Sequence, residues 1–213
     1  MGEFFMMLAL TAGALGSSAA ADASAPTLAH VGRAVAPGWC AGTAAQVLWC
    51  GAFRPSVCGP KMLWIPAALL AATAAGLGTA HRALRSLPGG RALPPLTDAL
   101  VRWPIVLHFG WITAASLVNW NNWLARRGTA VSIKAFVACA SAVLALGAAA
   151  FVYATTGDAL FAFVVCWALS AVASDGAKDA RGKVDAGALS RVRSVVATCA
   201  AVAFVGLLAK IGE

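Results

Sequence analysis

Charge is what this chain has least of. Only 11% of its 213 residues are charged, and only 8 are acidic, whereas charged side chains make up about a quarter of an ordinary soluble domain. With 61% hydrophobic residues and a mean hydropathy of +0.80, too little polar sequence is left to coat a water-soluble core. The same composition excludes a disordered chain, a collagen-like repeat and a small disulfide scaffold.

Other absences exclude chemistries. The six cysteines, Cys40, Cys50, Cys58, Cys139, Cys166 and Cys199, form no C-x-x-C pair and have no histidine at zinc spacing, so a metal cage is not expected. Free thiols are expected throughout, with Cys50 and Cys58, which flank a short loop, the best placed to bridge. There is no nucleophile elbow, P-loop, dinucleotide fingerprint or His-Glu-x-x-His. Carboxylates are too few within the apolar runs to build a proton path or a catalytic pair. An enzyme is therefore not expected, and a solute transporter lacks its broken helices and coupling charges.

The net charge of +8, from 16 Lys and Arg, raises nucleic acid as a partner. The basic residues fall singly or in small groups between apolar runs, where anionic lipid headgroups account for them. No basic stripe of the kind that tracks a phosphate backbone can be drawn, so membrane lipids, not nucleic acid, are the expected partners.

What the chain does have is apolar length. Seven stretches, at about 4–20, 37–53, 62–80, 103–125, 135–154, 159–174 and 194–211, are candidate spans, since roughly twenty residues of helix cross a hydrocarbon core. They are alanine-rich and apolar all round, which argues against alternating strands. The expected fold is all-α, a polytopic transmembrane helical bundle of about seven spans. The first stretch ends in Ser17, Ser18, Ala19 and Ala20 like a secretory signal, but it carries Glu3 and no basic residue before its apolar core. Arg54, Lys61, Arg126, Arg127, Lys134, Lys178, Arg181, Lys183, Arg191 and Arg193 alternate onto one face of such a bundle, which the positive-inside bias makes the cytoplasmic, stromal or matrix face.

Within the fourth stretch, His108, Trp111, Ile112, Ala115, Asn119 and Asn122 share one helical face. A polar stripe at membrane depth is costly unless it faces another helix, a cavity or a ligand. His108 admits three uses: axial ligand to the metal of a tetrapyrrole, hydrogen bond to a neighbouring helix, or proton handling. In the second stretch Gln46, Trp49 and Phe53 share a face, as a packed aromatic seam or a ligand wall. Trp39, Trp64, Trp103, Trp120 and Trp123 are placed as an interfacial belt. Asp158 begins the sixth stretch, where a carboxylate caps a helix. His81 lies at a span end and His30 in a loop, neither completing a constellation with His108.

At these residues the chain resembles the tryptophan-rich sensory protein and translocator protein family, in the extended form associated with algae. An amide three residues before a Trp and an aromatic four after it are Gln46, Trp49 and Phe53, with Gln replacing the usual Asn. Trp111, Ala115 and Asn119 keep the spacing of the family's fifth helix. Phe109-Gly110-Trp111-Ile112-Thr113-Ala114-Ala115 and Trp167-Ala168-Leu169 also resemble the extended members. The resemblance divides the chain into a core, 1–125, and three added transmembrane helices, 126–213, with a charged loop near 175–193. It aligns Met1-Gly2-Glu3 with the middle of the family's second helix, implying a chain that starts after the first.

The resemblance implies a binding protein for flat, hydrophobic molecules: chlorophyll or another porphyrin, a carotenoid, or a lipid. The expected ligand-binding residues are His108, Trp111, Ala115, Asn119, Gln46, Trp49 and Phe53, with His108 the candidate axial ligand to a tetrapyrrole metal. The alternative is an accessory subunit of a membrane supercomplex, photosynthetic if the algal likeness holds, in a chloroplast thylakoid or another organelle membrane.

Overall fold

The computed structural model describes residues 28–54, 56–88, 93–175 and 186–211. The first predicted span and most of the charged segment near 175–193 lie outside them. Six long helices are described: α1, Leu28–Ala52; α2, Trp64–Ser86; α3, Trp103–Ala125; α4, Val131–Thr156; α5, Ala159–Asp175; and α6, Ala186–Ile211. Among the described residues there is no strand.

By length and composition, Pro95–Ala125, Val131–Thr156 and Gly187–Gly206 can each cross a membrane, and Ala159–Ser174 is a shorter apolar helix. The remaining boundaries differ from expectation chiefly in α1, which begins at Leu28 and not at Pro37 and carries that proline inside it. Pro37 costs the helix one backbone hydrogen bond, and the apolar run alone could not show that the turns before it remain helical. Pro104 is accommodated differently. One turn, Pro95–Thr97, leads into a wide π turn, Asp98–Arg102, whose last bond runs from Trp103 N to Asp98 O, so the proline falls in the first turn of α3, where no N–H is needed.

Consecutive helices run antiparallel, and small residues set how closely they approach. A Cβ on Gly38 would lie 2.5 Å from Ala80 N, and one on Gly76 would lie 2.5 Å from Gly42 N. α1 and α2 therefore touch backbone to backbone, the packing favoured between helices in lipid. α2 packs on α3, α3 on both α4 and α5, and α6 closes against α4 and α5. The α3–α5 contact is also close, because a Cβ on Gly110 would lie 2.9 Å from Val164 Cβ.

Three apolar clusters follow. Val31, Val35, Ala80, Leu84, Val101 and Ile105 fill the end where α2 finishes and α3 begins. Leu70, Leu77 and Ile112 join α2 to α3 at mid-height. Val106, Phe161 and Val165 lead into the alanine-rich contact of α4, α5 and α6.

Candidate functional site

Two arrangements in this bundle could carry function. One is a polar cluster at the end shared by the finish of α2, the start of α3 and the α4–α5 connection. Gly157 adopts the left-handed conformation (φ 69°) that ends α4, its N–H bonding Tyr153 O at 2.7 Å; a glycine takes this conformation without the strain of a Cβ. The chain then turns at once into α5, and Asp158 Oδ1 accepts the N–H of Leu160 at 3.1 Å, the expected cap.

The same carboxylate has two further partners. His81 Nε2 donates to Asp158 Oδ2 at 3.0 Å, and Arg102 Nη1 donates to both carboxylate oxygens at 2.9 Å. The side chains of His81 and Asp158 are each only 1% exposed. Arg102 in turn holds Asp98, which also accepts the Trp103 indole N–H at 3.1 Å. Arg85 donates through Nε and Nη2 to Thr156 O, at 3.1 and 2.7 Å, placing a cation on the C-terminal carbonyls of α4 just where the dipole favours it.

Burial by itself would raise the Asp158 carboxyl, but the hydrogen bonds from His81 and Arg102 and the Arg102 charge outweigh it and hold it at about 2. A cleft of about 560 Å³ opens beside the cluster, lined by Arg85, Asp98, Arg102, Trp103 and Asp158 among others. The carboxylates and Arg102 are spent on one another, so the cluster acts as a clamp tying α2 and α3 to the α4–α5 turn. Sequence reasoning recognised the cap and missed the clamp. The available signal was His81 itself, in register with Leu77 and Leu84 on the buried stripe of α2.

The second arrangement is a lateral cavity of about 430 Å³ between α3, α4, α5 and α6. Alanines make it: Ala114 and Ala115 on α3, Ala138, Ala142 and Ala145 on α4, Ala168 and Ala171 on α5 all line it, where longer side chains would fill the space. Its floor includes the buried Ala142, Ala145 and Val196, while Trp111, Val118 and Val172 at the rim are exposed. The Trp111 ring lies 5.3 Å from that of Trp167. Besides the Trp111 indole, the polar side chains among the described lining residues are Asn119, Asn121 and Ser141, with Asn121 Nδ2 bonding Ser141 Oγ across helices at 2.8 Å.

Three of the expected binding residues, Trp111, Ala115 and Asn119, thus meet at this cavity. His108 is half-buried one turn earlier on α3 and lines neither the cavity nor the cleft. Gln46 and Trp49 on α1, and Phe53 directly after it, are outside the cavity lining. Trp49 packs against the Leu70, Leu77 and Ile112 cluster and stacks on Phe53 at 5.0 Å. Gln46 Oε1 and Trp49 Nε1 are buried there without a hydrogen-bond partner. All six cysteines are free. Among the described residues no group of three or more His, Cys, Asp or Glu could hold a metal ion.

A sequence model of the TSPO-like protein family matches residues 6–210. The chain belongs to that family. The match takes in α4, α5 and α6 as well as α1 to α3, so the helices that enclose the cavity all lie within the TSPO-like region. Neither the curated proteins nor the solved structures include a significant match. Membership and the apolar helices together make this TSPO-like chain an integral membrane helical protein.

Proposed function

We propose that the protein is a non-catalytic binder of a lipid-soluble small molecule, held in the lateral cavity between α3, α4, α5 and α6. The observation that carries this reading is the cavity wall. It combines many alanines, the three uncharged polar side chains of Asn119, Asn121 and Ser141, and an exposed rim of Trp111, Val118 and Val172. A hydrophobic molecule could enter such an opening sideways from the acyl chains without crossing water. Pockets for small molecules have this character, a mostly apolar lining with a few placed polar groups, and span roughly 300–1,000 Å³.

The lining also bears on which molecule. Among the described residues it contains no histidine, cysteine, methionine or carboxylate, the side chains that usually ligate haem iron, and so no imidazole for a chlorophyll magnesium. An occupant of the carotenoid or lipid class, held by packing, suits this wall better than a tetrapyrrole fixed through its metal. The TSPO-like membership supports the general reading of a membrane protein with such a site.

The test is to isolate the protein from its native membrane in mild detergent, record the absorption spectrum and identify co-purifying lipids by mass spectrometry. Ala145→Phe should fill the cavity and strip the bound molecule while leaving the helical signal intact. Equal ligand content in wild type and variant would refute the assignment.

A further inference from the structure

We propose that the cavity's occupant is an anionic phospholipid, one acyl chain laid along the alanines and its phosphate met by Arg126, Lys134 and Arg193; this rests on the ligand-binding reading above. The inference comes from the order in which the cavity wall changes character along the bundle. On α3 the lining runs from Trp111 and Ala115 through Val118 to Asn119 and Asn121, and Arg126 follows within about 8 Å of helical rise. α4 runs antiparallel and repeats the order in reverse. Ala145 and Ala142 come first, then Ser141 and Ala138, then Lys134, half-buried on the same stripe one turn earlier.

Both walls thus grade from apolar to uncharged polar to cationic in one direction, the profile of a lipid read from chain to headgroup. Trp120 and Trp123 meet edge to face at 5.6 Å on α3 where the change occurs, and such tryptophans mark the headgroup boundary. Arg126 Nε donates to Asn122 Oδ1 at 3.1 Å, which folds the guanidinium back one turn toward the cavity. Neither of its Nη groups has a hydrogen-bond partner among the described residues. From α6, Arg193 donates through Nη2 to Ser174 O at 3.3 Å, so it reaches the end of α5 two residues past the rim residue Val172. Its Nε is buried without a partner, and a charged donor so placed is costly until an acceptor arrives. The first turn of α4 adds backbone N–H groups, since it holds no acidic residue and its N-cap, Ala130, has no side-chain acceptor.

The sign of the ligand follows from where the carboxylates are. Both carboxylates with described side chains, Asp98 and Asp158, are paired at the opposite end of the bundle. A zwitterionic headgroup would bring an ammonium among cations, and a neutral lipid would leave those cations unmatched. A free phosphate would leave the alanines uncovered. A phospholipid with a net negative charge fills both parts, and the sideways opening lets its second chain stay in the bilayer.

Native mass spectrometry of the purified full chain in mild detergent tests this, with phosphatidylglycerol and phosphatidylcholine of identical acyl chains as probes. Phosphatidylglycerol should be retained about tenfold more strongly, since several cations each contribute about fivefold. Arg126→Gln and Lys134→Gln should each lower its retention about fivefold and leave phosphatidylcholine unchanged. Added salt should erode the preference. Ala145→Phe, which blocks the chain, should reduce retention of both lipids, and Ala138→Leu makes the same test should the first variant fold poorly. Glycerol 3-phosphate, a head without a chain, should not compete.

Equal retention of the two lipids, lost in Ala145→Phe, would overturn the anionic assignment and leave the cavity as a binding site. So would retention of neither lipid while a molecule from the native membrane is still lost in that variant. Competition by glycerol 3-phosphate, or a preference for phosphatidylglycerol that both cavity-filling variants leave intact, would overturn the proposed seat, because the charges would then act without the cavity. Retention of neither lipid, with no native molecule lost in Ala145→Phe, would overturn the binding reading itself.

Discussion

Removing the Asp158 carboxylate should loosen the whole bundle, because one side chain joins three elements. It accepts from His81 on α2 and from Arg102 at the start of α3, and it caps α5 through Leu160 N. Asp158→Ala deletes all of these and leaves His81 and Arg102 without that carboxylate. Breaking a buried pair from one side costs about 3–5 kcal/mol, and loss of a cap typically adds about 1 kcal/mol. Asp158→Asn keeps an acceptor for the cap or for His81 and loses chiefly the charge. The carboxyl stands at about 2 against an ordinary 3.8, and that difference corresponds to roughly 2 kcal/mol.

The sign of the pH dependence follows. A carboxyl whose folded value lies below its unfolded value contributes in full above the unfolded value, and that contribution is lost as pH falls through the folded one. Wild-type stability should therefore drop by about 2 kcal/mol more than that of Asp158→Asn as pH falls from about 4 toward 2. Unfolding by SDS in mixed micelles, followed by far-ultraviolet circular dichroism, reads both quantities. Losses under about 0.5 kcal/mol at pH 7 for both variants, the range of an ordinary surface substitution, would refute the clamp, as would superimposable acid profiles of wild type and Asp158→Asn.

Gly38→Ala and Gly76→Ala should each destabilise by about 1–3 kcal/mol in the same assay, since their methyl groups meet backbone at 2.5 Å. Gly147→Ala meets nothing within 4 Å, and should be neutral or slightly stabilising. His108→Leu should leave the content of co-purifying ligand within about twofold of wild type, because His108 is outside the cavity lining and such a change is under 0.5 kcal/mol; a loss of tenfold or more would place the imidazole at the site after all.

The periodic and compositional part of this fold was legible. Apolar runs near 103–125, 135–154 and 159–174 correspond to Trp103–Ala125, Val131–Thr156 and Ala159–Asp175, because in a helix of this composition the run itself is the signal. Trp111, Ala115 and Asn119 were found together because helical spacing places them on one face, and the structure puts all three at one cavity. What could not be read was pairing between distant segments. His81 and Asp158 are 77 residues apart, and nothing local at either position names the other. Asn121, whose bond to Ser141 crosses to α4, fell outside the face that carries His108 for a related reason. The face that carries His108 was taken as the inward one, whereas α3 is contacted by α2, α4 and α5 on different sides, so residues from more than one stripe turn inward. The alanines of α4 carried no sequence signal at all, since in a membrane helix an alanine that lines a cavity looks like one that packs.

The short helix α5 ties the clamp to the cavity. Asp158 anchors its first turn, while Ala168, Leu169, Ala171 and Val172, farther along, form one cavity wall. Between them, Val164 meets Gly110 of α3 so closely that an added methyl group would lie 2.9 Å from both its Cβ and Cγ1. Val164 Cβ is fixed by its own backbone and the branching stiffens χ1, so Gly110→Ala must shift α5 away from α3 by some tenths of an ångström. Val164, Ala168 and Ala171 share one helical face, so the wall moves with the contact. Because Gly110 does not line the cavity, a change in ligand affinity would have to travel through that displacement. The expected outcome is a content of co-purifying ligand lowered several-fold in Gly110→Ala and regained in the double variant with Val164→Gly, which removes both Cβ and Cγ1 from the collision. Unaltered affinity in the single variant would show that the cavity's width is set elsewhere. A loss that Val164→Gly does not reverse would show that the glycine serves α3 itself and not the spacing of α5.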